Sequence, residues 1–269
     1  MDENRAAAPV HLTAETIRFG IATFFLVLIA HAIAYLTHEY SHSFMAWSMG
    51  WMADPLALDY GHLTLNNVLF LGDVGDNVSY DPILASGHGL QAAVIALSGP
   101  FLGNGLLYFL LYRLARSRFV ATSRLGLSAV YWLSVMCAGN VWSYVPLRAI
   151  TTHADIALAA RGMQVSTWVL FPLLTAISLY VLYHFFCRMF PMCYRAITNN
   201  SRKNLTLLIV MTSFFYFSFF AGDGIDGSYG WISQLLSITS RYLLFPLAAT
   251  YLVSTYGASR NADSVGVRA

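Results

Sequence analysis

The residues best suited to chemistry are His38, Glu39 and His42, in the run His38-Glu39-Tyr40-Ser41-His42. Residues four apart on a helix lie on one face. A helix through this run aims two imidazole nitrogens at one point, as a single metal ion requires. Glu39, beside the first imidazole, is placed to take a proton from water as it attacks a carbonyl, and to pass it to a leaving amine. Zinc suits such a site, because it keeps a position open beside three protein ligands and brings the ionisation of water to about pH 7.

The third ligand stays open at this level. Asp155, His153, His62, His88 and the Asp223/Asp226 pair are candidates, and all fall on the side of the chain where the motif emerges. His31 lies seven residues before His38, about 10 Å away along a helix. That is too far to share one ion, so His31 reads as a buried, hydrogen-bonded histidine. The competing account of the motif is structural: both histidines bond to neighbouring helices and Glu39 pairs with an arginine. Against it stands the cost of ionisable groups at membrane depth, roughly 2.5–3.5 kcal/mol each.

The elements that carry these residues are apolar. Hydrophobic residues make up 57% of the 269-residue chain and charged residues 10%, where a soluble domain carries about 25%. Mean hydropathy is +0.58. The apolar residues fall in blocks long enough to cross a bilayer. The expected fold is therefore an all-α, multi-pass membrane protein of about six spans, near 18–48, 89–112, 126–147, 166–187, 205–221 and 231–254. The first block exceeds one span, which implies an extension or a tilt. A cleaved leader ending at Ala30-His31-Ala32 is the rival reading of the start. It is disfavoured because the apolar run resumes past the polar motif.

Basic residues alternate between connections. Arg5 and Arg18 precede the first span. Arg113, Arg116, Arg118 and Arg124 follow the second; Arg188, Arg195, Arg202 and Lys203 follow the fourth; Arg260 and Arg268 follow the sixth. The other connections hold only Arg148 and Arg161. The positive-inside rule then places both termini in the cytoplasm and residues 51–88 on the far side. This suits a cell (inner) membrane. Within 51–88, His62 to Leu71 mixes alternation with an apolar run and reads as a short β-like segment. Four regions follow: a tail at 1–17, a three-span core at 18–160, three further spans at 161–254, and a tail at 255–269.

The net charge of +2 offers no basic surface for nucleic acid. Cys137, Cys187 and Cys193 form no CxxC pair, which excludes a disulfide framework and reads as apolar packing. Nothing in the sequence sets an oligomeric state.

The order of motifs resembles the site-2 protease family of intramembrane zinc metalloproteases. There the first core helix carries HExxH, the second a Gly-Pro…Asn element, and the third an Asn…Pro…Asp element. Here these look like His38 to His42, Gly99-Pro100…Asn104, and Asn140…Pro146 followed by Asp155. The resemblance covers roughly residues 20–160. It implies zinc held by His38, His42 and Asp155, Glu39 as general base and acid, and Asn140 positioning the substrate or polarising the scissile carbonyl. It also implies a transmembrane protein substrate within the lipid bilayer. Such a substrate must unwind locally, and His62–Leu71 is the candidate strand to hold it. Two departures stand out. Asn104 is five residues after Gly99, where the family has four, and Arg148 follows Pro146-Leu147 where the family has its ligand aspartate.

Two readings from other classes remain. One is a membrane metal-binding or transport protein, with the histidines lining an ion path. It sits poorly with the aromatic run Phe214 to Phe220. The other is a catalytically silent helical scaffold, which an intact Glu39 disfavours. Gly99, Gly103 and Gly105 also suit plain close packing of helices, and Asn140 an interhelical hydrogen bond.

Overall fold

The computed structural model describes residues 13–266 and is helical almost throughout. Arg5 and Arg268, invoked above for orientation, lie outside the described residues, as does the side chain of Arg260. In chain order the helices are α1 (Ala14–Ser48), α2 (Leu65–Phe70), α3 (Tyr80–Ala85), α4 (Gly89–Ala115), α5 (Arg118–Ala121), α6 (Arg124–Leu147), α7 (Asp155–Met163), α8 (Thr167–Thr198), α9 (Arg202–Ser213) and α10 (Trp231–Gly257). A π-helical stretch, Phe214–Phe219, continues α9.

Local chemistry sets the helix ends. The Thr13 hydroxyl accepts from Thr16 N at the start of α1. At its far end Gly50 takes a left-handed conformation (φ +81°), and Trp51 N closes onto Ala46 O at 2.9 Å. Ser123, Ser166 and Ser201 cap α6, α8 and α9 by the same side-chain device.

Five helices, α1, α4, α6, α8 and α10, are long and apolar enough to cross a membrane. α6 is the central one: 78% of its apolar window is buried, against 17% for α10. The outer helices turn large apolar side chains outward. On α1, Ile21, Phe25 and Ile29 recur every fourth residue and are 54%, 58% and 57% exposed. Such a stripe is unfavourable in water and natural against lipid. The segment expected as a fifth span, 205–221, falls on α9 and its π-helical continuation, which is not among these five helices. Its first turn is Arg202-Lys203-Asn204, so the apolar stretch is shorter than in the other five.

The expected β-like segment is corrected by the structure. Residues 65–70 form α2, and the only β pairing among the described residues is an isolated bridge between Asp59 and Gly75. Two polar residues decide this. The Thr64 hydroxyl caps α2 through Asn67 N at 3.1 Å. The Asn67 amide then donates to the carbonyls of Tyr60 (2.7 Å) and His62 (2.9 Å) and accepts from Asp73 N (3.0 Å). The loop winds around one buried amide and leaves no extended edge.

α4 and α7 run antiparallel in close contact. A Cβ at Gly89 would collide with the Gly162 backbone, and one at Gly162 with the Gly89 carbonyl. Ala93, Ala96 and Ala159 fill the seam between them. This contact carries the start of α7 to the π-helical stretch Gly99–Leu106 of α4, directly beside the motif on α1.

Candidate metal centre

His38 and His42 stand one turn apart on α1, each 1% exposed. Both rings are held from behind. His42 Nδ1 lies 2.8 Å from the Ile95 carbonyl, and His38 Nδ1 lies 2.8 Å from Asn104 Oδ1. The Asn104 amide group donates to Ala34 O at 3.0 Å, so its oxygen is the atom that faces His38. A carbonyl oxygen only accepts. Each Nδ1 therefore carries a proton, and in the neutral imidazole each Nε2 presents a lone pair.

Those lone pairs converge. The two Nε2 atoms are 3.1 Å apart, and Asp155 Oδ2 lies 3.2 Å from His38 Nε2 and 3.4 Å from His42 Nε2. Asp155 Oδ2 is buried with no hydrogen-bond partner among the described residues. With both rings neutral, three acceptor atoms face one another and repel, and a cation between them removes the conflict. The spacing also fits. Ligand atoms about 2.0–2.1 Å from a tetrahedral zinc are about 3.3 Å apart. Among the described residues no other group of three potential ligands comes together.

α4 makes the room. A Cβ at Gly99 would run into Nε2 of both histidines, and one at Gly103 into Ser41 Oγ, Thr37 O and His38 Cα. From the other side, the Tyr144 ring at the end of α6 stacks on His38, centroids 4.6 Å apart at 23°. Asp155 opens α7 just after Ala154, which holds φ +70°, ψ 177°. That is a glycine-like conformation costing about 1–3 kcal/mol in any other residue, and such strain gathers at functional sites. Ile156 anchors the turn in an apolar cluster with Val145, Ala149 and Leu174.

Glu39 lies on a second row of α1, His31-Tyr35-Glu39-Ser43. The other three members bond carbonyls of the 70–76 loop: His31 to Phe70 O (3.0 Å), Tyr35 to Val74 O (3.0 Å) and Ser43 to Asp76 O (2.8 Å). A carboxylate cannot donate to a carbonyl, so Glu39 takes no part in that lacing. It is 7% exposed, and no described residue hydrogen-bonds it. The same loop is held from its outer end by Tyr80, whose phenol donates to Asp76 Oδ2 at 3.0 Å. Burial, and then the neighbouring Asp76 charge, raise the Tyr80 pKa well above its ordinary value, so this donor persists at any physiological pH.

The remaining sequence candidates lie elsewhere. His153 stacks on Tyr229 at 4.4 Å, His88 meets Ser86 Oγ at 3.0 Å, His62 is exposed, and Asp226 is bound to Ser228 N at 2.9 Å. His31 is the buried, hydrogen-bonded histidine expected of it. Asn140 makes no hydrogen bond with His38, His42 or Asp155; it lines a polar cavity of about 580 Å³ together with Tyr144, the ring that stacks on His38. Arg148 shares that cavity and donates to Asp223 Oδ2 (3.2 Å).

No protein-family model matches this chain, and neither a curated protein nor a solved structure does. The site is therefore read on its own geometry. Three of its parts escaped the sequence reading: Asn104 as the support of His38, the space left by Gly99, and the Tyr144 ring. All lie within segments flagged as motif elements, but their roles depend on which helices meet.

Proposed function

We propose that this chain is an intramembrane zinc metalloprotease of the site-2 protease type, a zinc metalloendopeptidase that cleaves transmembrane protein substrates. One observation carries this reading: His38, His42 and Asp155 turn three bare acceptor atoms onto one point, while Glu39, one residue away, keeps a buried carboxylate with no structural partner. When bound there, zinc supplies Lewis acidity, polarising a carbonyl and easing the ionisation of water. Glu39 takes one proton from the attacking water. It gives that proton to the amide nitrogen as the C–N bond breaks, leaving a new carboxyl and a free amine. The Asn140 amide, which no described residue hydrogen-bonds, is available to hold a backbone carbonyl of the unwound substrate. In this reading α9 and its continuation form a sixth span, both termini face the cytoplasm of a cell (inner) membrane, and the 51–88 loop caps the site from the far side. The loop offers no strand to the substrate.

The test is zinc content and cleavage on the detergent-purified chain. Wild type is expected to hold about one zinc, His38→Ala and Asp155→Ala to lose it, and Glu39→Gln to keep it. Cleavage of reconstituted single-span peptides, read by mass spectrometry, is expected of wild type and not of Glu39→Gln. A zinc-free wild type, or a Glu39→Gln that cleaves equally well, would overturn the proposal.

A further inference from the structure

Arg148 occupies the place where the resemblance would put a ligand aspartate, and a guanidinium cannot bind a metal. Its surroundings suggest another use. It is 9% exposed, in the wall of the 580 Å³ cavity shared with Asn140, Ser143, Tyr144, Asp223 and Tyr229. Nη1 donates to Asp223 Oδ2 at 3.2 Å and Tyr229 Oη at 3.3 Å, and Nη2 donates to Ser143 Oγ at 2.9 Å. One N–H of Nη2 has no acceptor among the described residues, and neither has the 7%-exposed Asn140 amide. Unpaired donors and a cation thus face one chamber.

The chamber already shows what it accepts. Asp223 is a carboxylate seated on Arg148, yet its own side chain is 67% exposed and it sits in the Gly-rich run Gly222-Asp223-Gly224. It holds the guanidinium through one oxygen only, leaving unused the two-pronged pairing that arginine offers a carboxylate. Position ties the chamber to the metal centre. The Arg148 guanidinium lies 4.3 Å from the centre of the Tyr144 ring, and the same ring stacks on His38 at 4.6 Å. Through that ring the two groups are at most the sum of these distances apart, a reach that two or three extended residues, at about 3.4 Å each, cover.

We propose that Arg148, with the Asn140 amide, is a carboxylate-recognition subsite for the substrate, and that Asp223 occupies it as an internal competitor until substrate displaces it. The inference rests on the hydrolase reading for its location, two or three residues from the bond cleaved. The carboxylate itself belongs either to the end of a peptide chain or to an acidic side chain.

The test is calorimetric titration of the zinc-loaded full-length chain in detergent with N-acetylphenylalanine, its amide, and N-acetylglutamate α-amide. At least one of the two acids is expected to bind where the neutral amide does not. N-acetylphenylalanine alone points to chain ends; binding of N-acetylglutamate α-amide points to side chains. Arg148→Gln is expected to weaken binding about tenfold or more, as loss of a charged hydrogen-bond pair does, with zinc content unchanged. Asp223→Asn is expected to tighten binding several-fold, and it tests the idea even if Arg148→Gln fails to fold. Equal binding of acid and amide, or an Asp223→Asn variant that binds no tighter than wild type, overturns the subsite. A zinc-free wild type would instead sink the hydrolase reading, while the acid–amide comparison would still report on Arg148.

Discussion

At the scale of single residues the centre depends on atoms that are absent as much as on those present. Gly99 is the clearest case. A methyl group there meets Nε2 of both histidines, and the opposite side is closed by Tyr144. Gly99→Ala is expected to cost about 1–3 kcal/mol by overpacking and to reduce zinc from about one per chain to a small fraction, measured by elemental analysis. Full zinc in this variant would mean that the histidines do not converge as described. Asn104 makes a second case. It fixes the tautomer of His38 and is itself fixed by Ala34 O. Outer partners of this kind are worth about 10–100-fold in metal affinity, so Asn104→Leu is expected to weaken zinc by that factor in a competition with a chelating dye. Asn104→Asp, which keeps the acceptor, is expected to lose less. The i, i+4 pair was legible in the sequence because its geometry is set within one turn of one helix. Asp155 could be named only through the resemblance and its nearness in sequence, because it reaches the pair only through the packing of α7 on α4. The six residues between it and Arg148 carry no periodic signal.

At the scale of elements, that packing decides how well the centre is built. α7 is short, with no side-chain cap at its start, and Ala154 before it is strained. Its hold is the α4 seam, where Gly89 and Gly162 touch backbone to backbone. In an isolated helix Gly→Ala stabilises by about 1 kcal/mol. Gly162→Ala is expected to do the reverse here, because the new methyl lifts α7 from α4 and swings Asp155 away from the histidines. A chelator competition should show weaker zinc binding, while α-helical content by circular dichroism stays level. Unchanged affinity would mean that the loop from Arg148 to Ala154, rather than the seam, holds Asp155 in place. The helices themselves were readable from the lengths of the apolar blocks. The segment read as β-like was misjudged because a short apolar run, Val68 to Leu71, has no period long enough to separate strand from helix. The deciding residue was Asn67, whose three loop hydrogen bonds appear only in the folded chain.

At the scale of the whole molecule, charge divides the bundle end from end. Arg18 and Arg124 line one hollow beside the start of α1, and Arg124 Nε donates to Ile197 O at 2.8 Å. The basic connections 113–124 and 195–203 thus meet at that end. The candidate metal centre and the acidic 51–88 loop lie toward the other, where Arg161 pairs with Asp81 at 3.0 Å. The alternation read along the sequence becomes a polarity in space, with the basic end expected in the cytoplasm. Two single-cysteine variants test it, each in a background with Cys137, Cys187 and Cys193 replaced. Ser117→Cys sits among the arginines, and Ser86→Cys, exposed, follows α3. On intact cells a membrane-impermeant maleimide is expected to label Ser86→Cys, and Ser117→Cys only after permeabilisation. The reverse pattern would invert the protein. Labelling of both before permeabilisation would mean that the bundle does not span a sealed bilayer, and the outward stripe of Ile21, Phe25 and Ile29 would then need a protein partner instead of lipid.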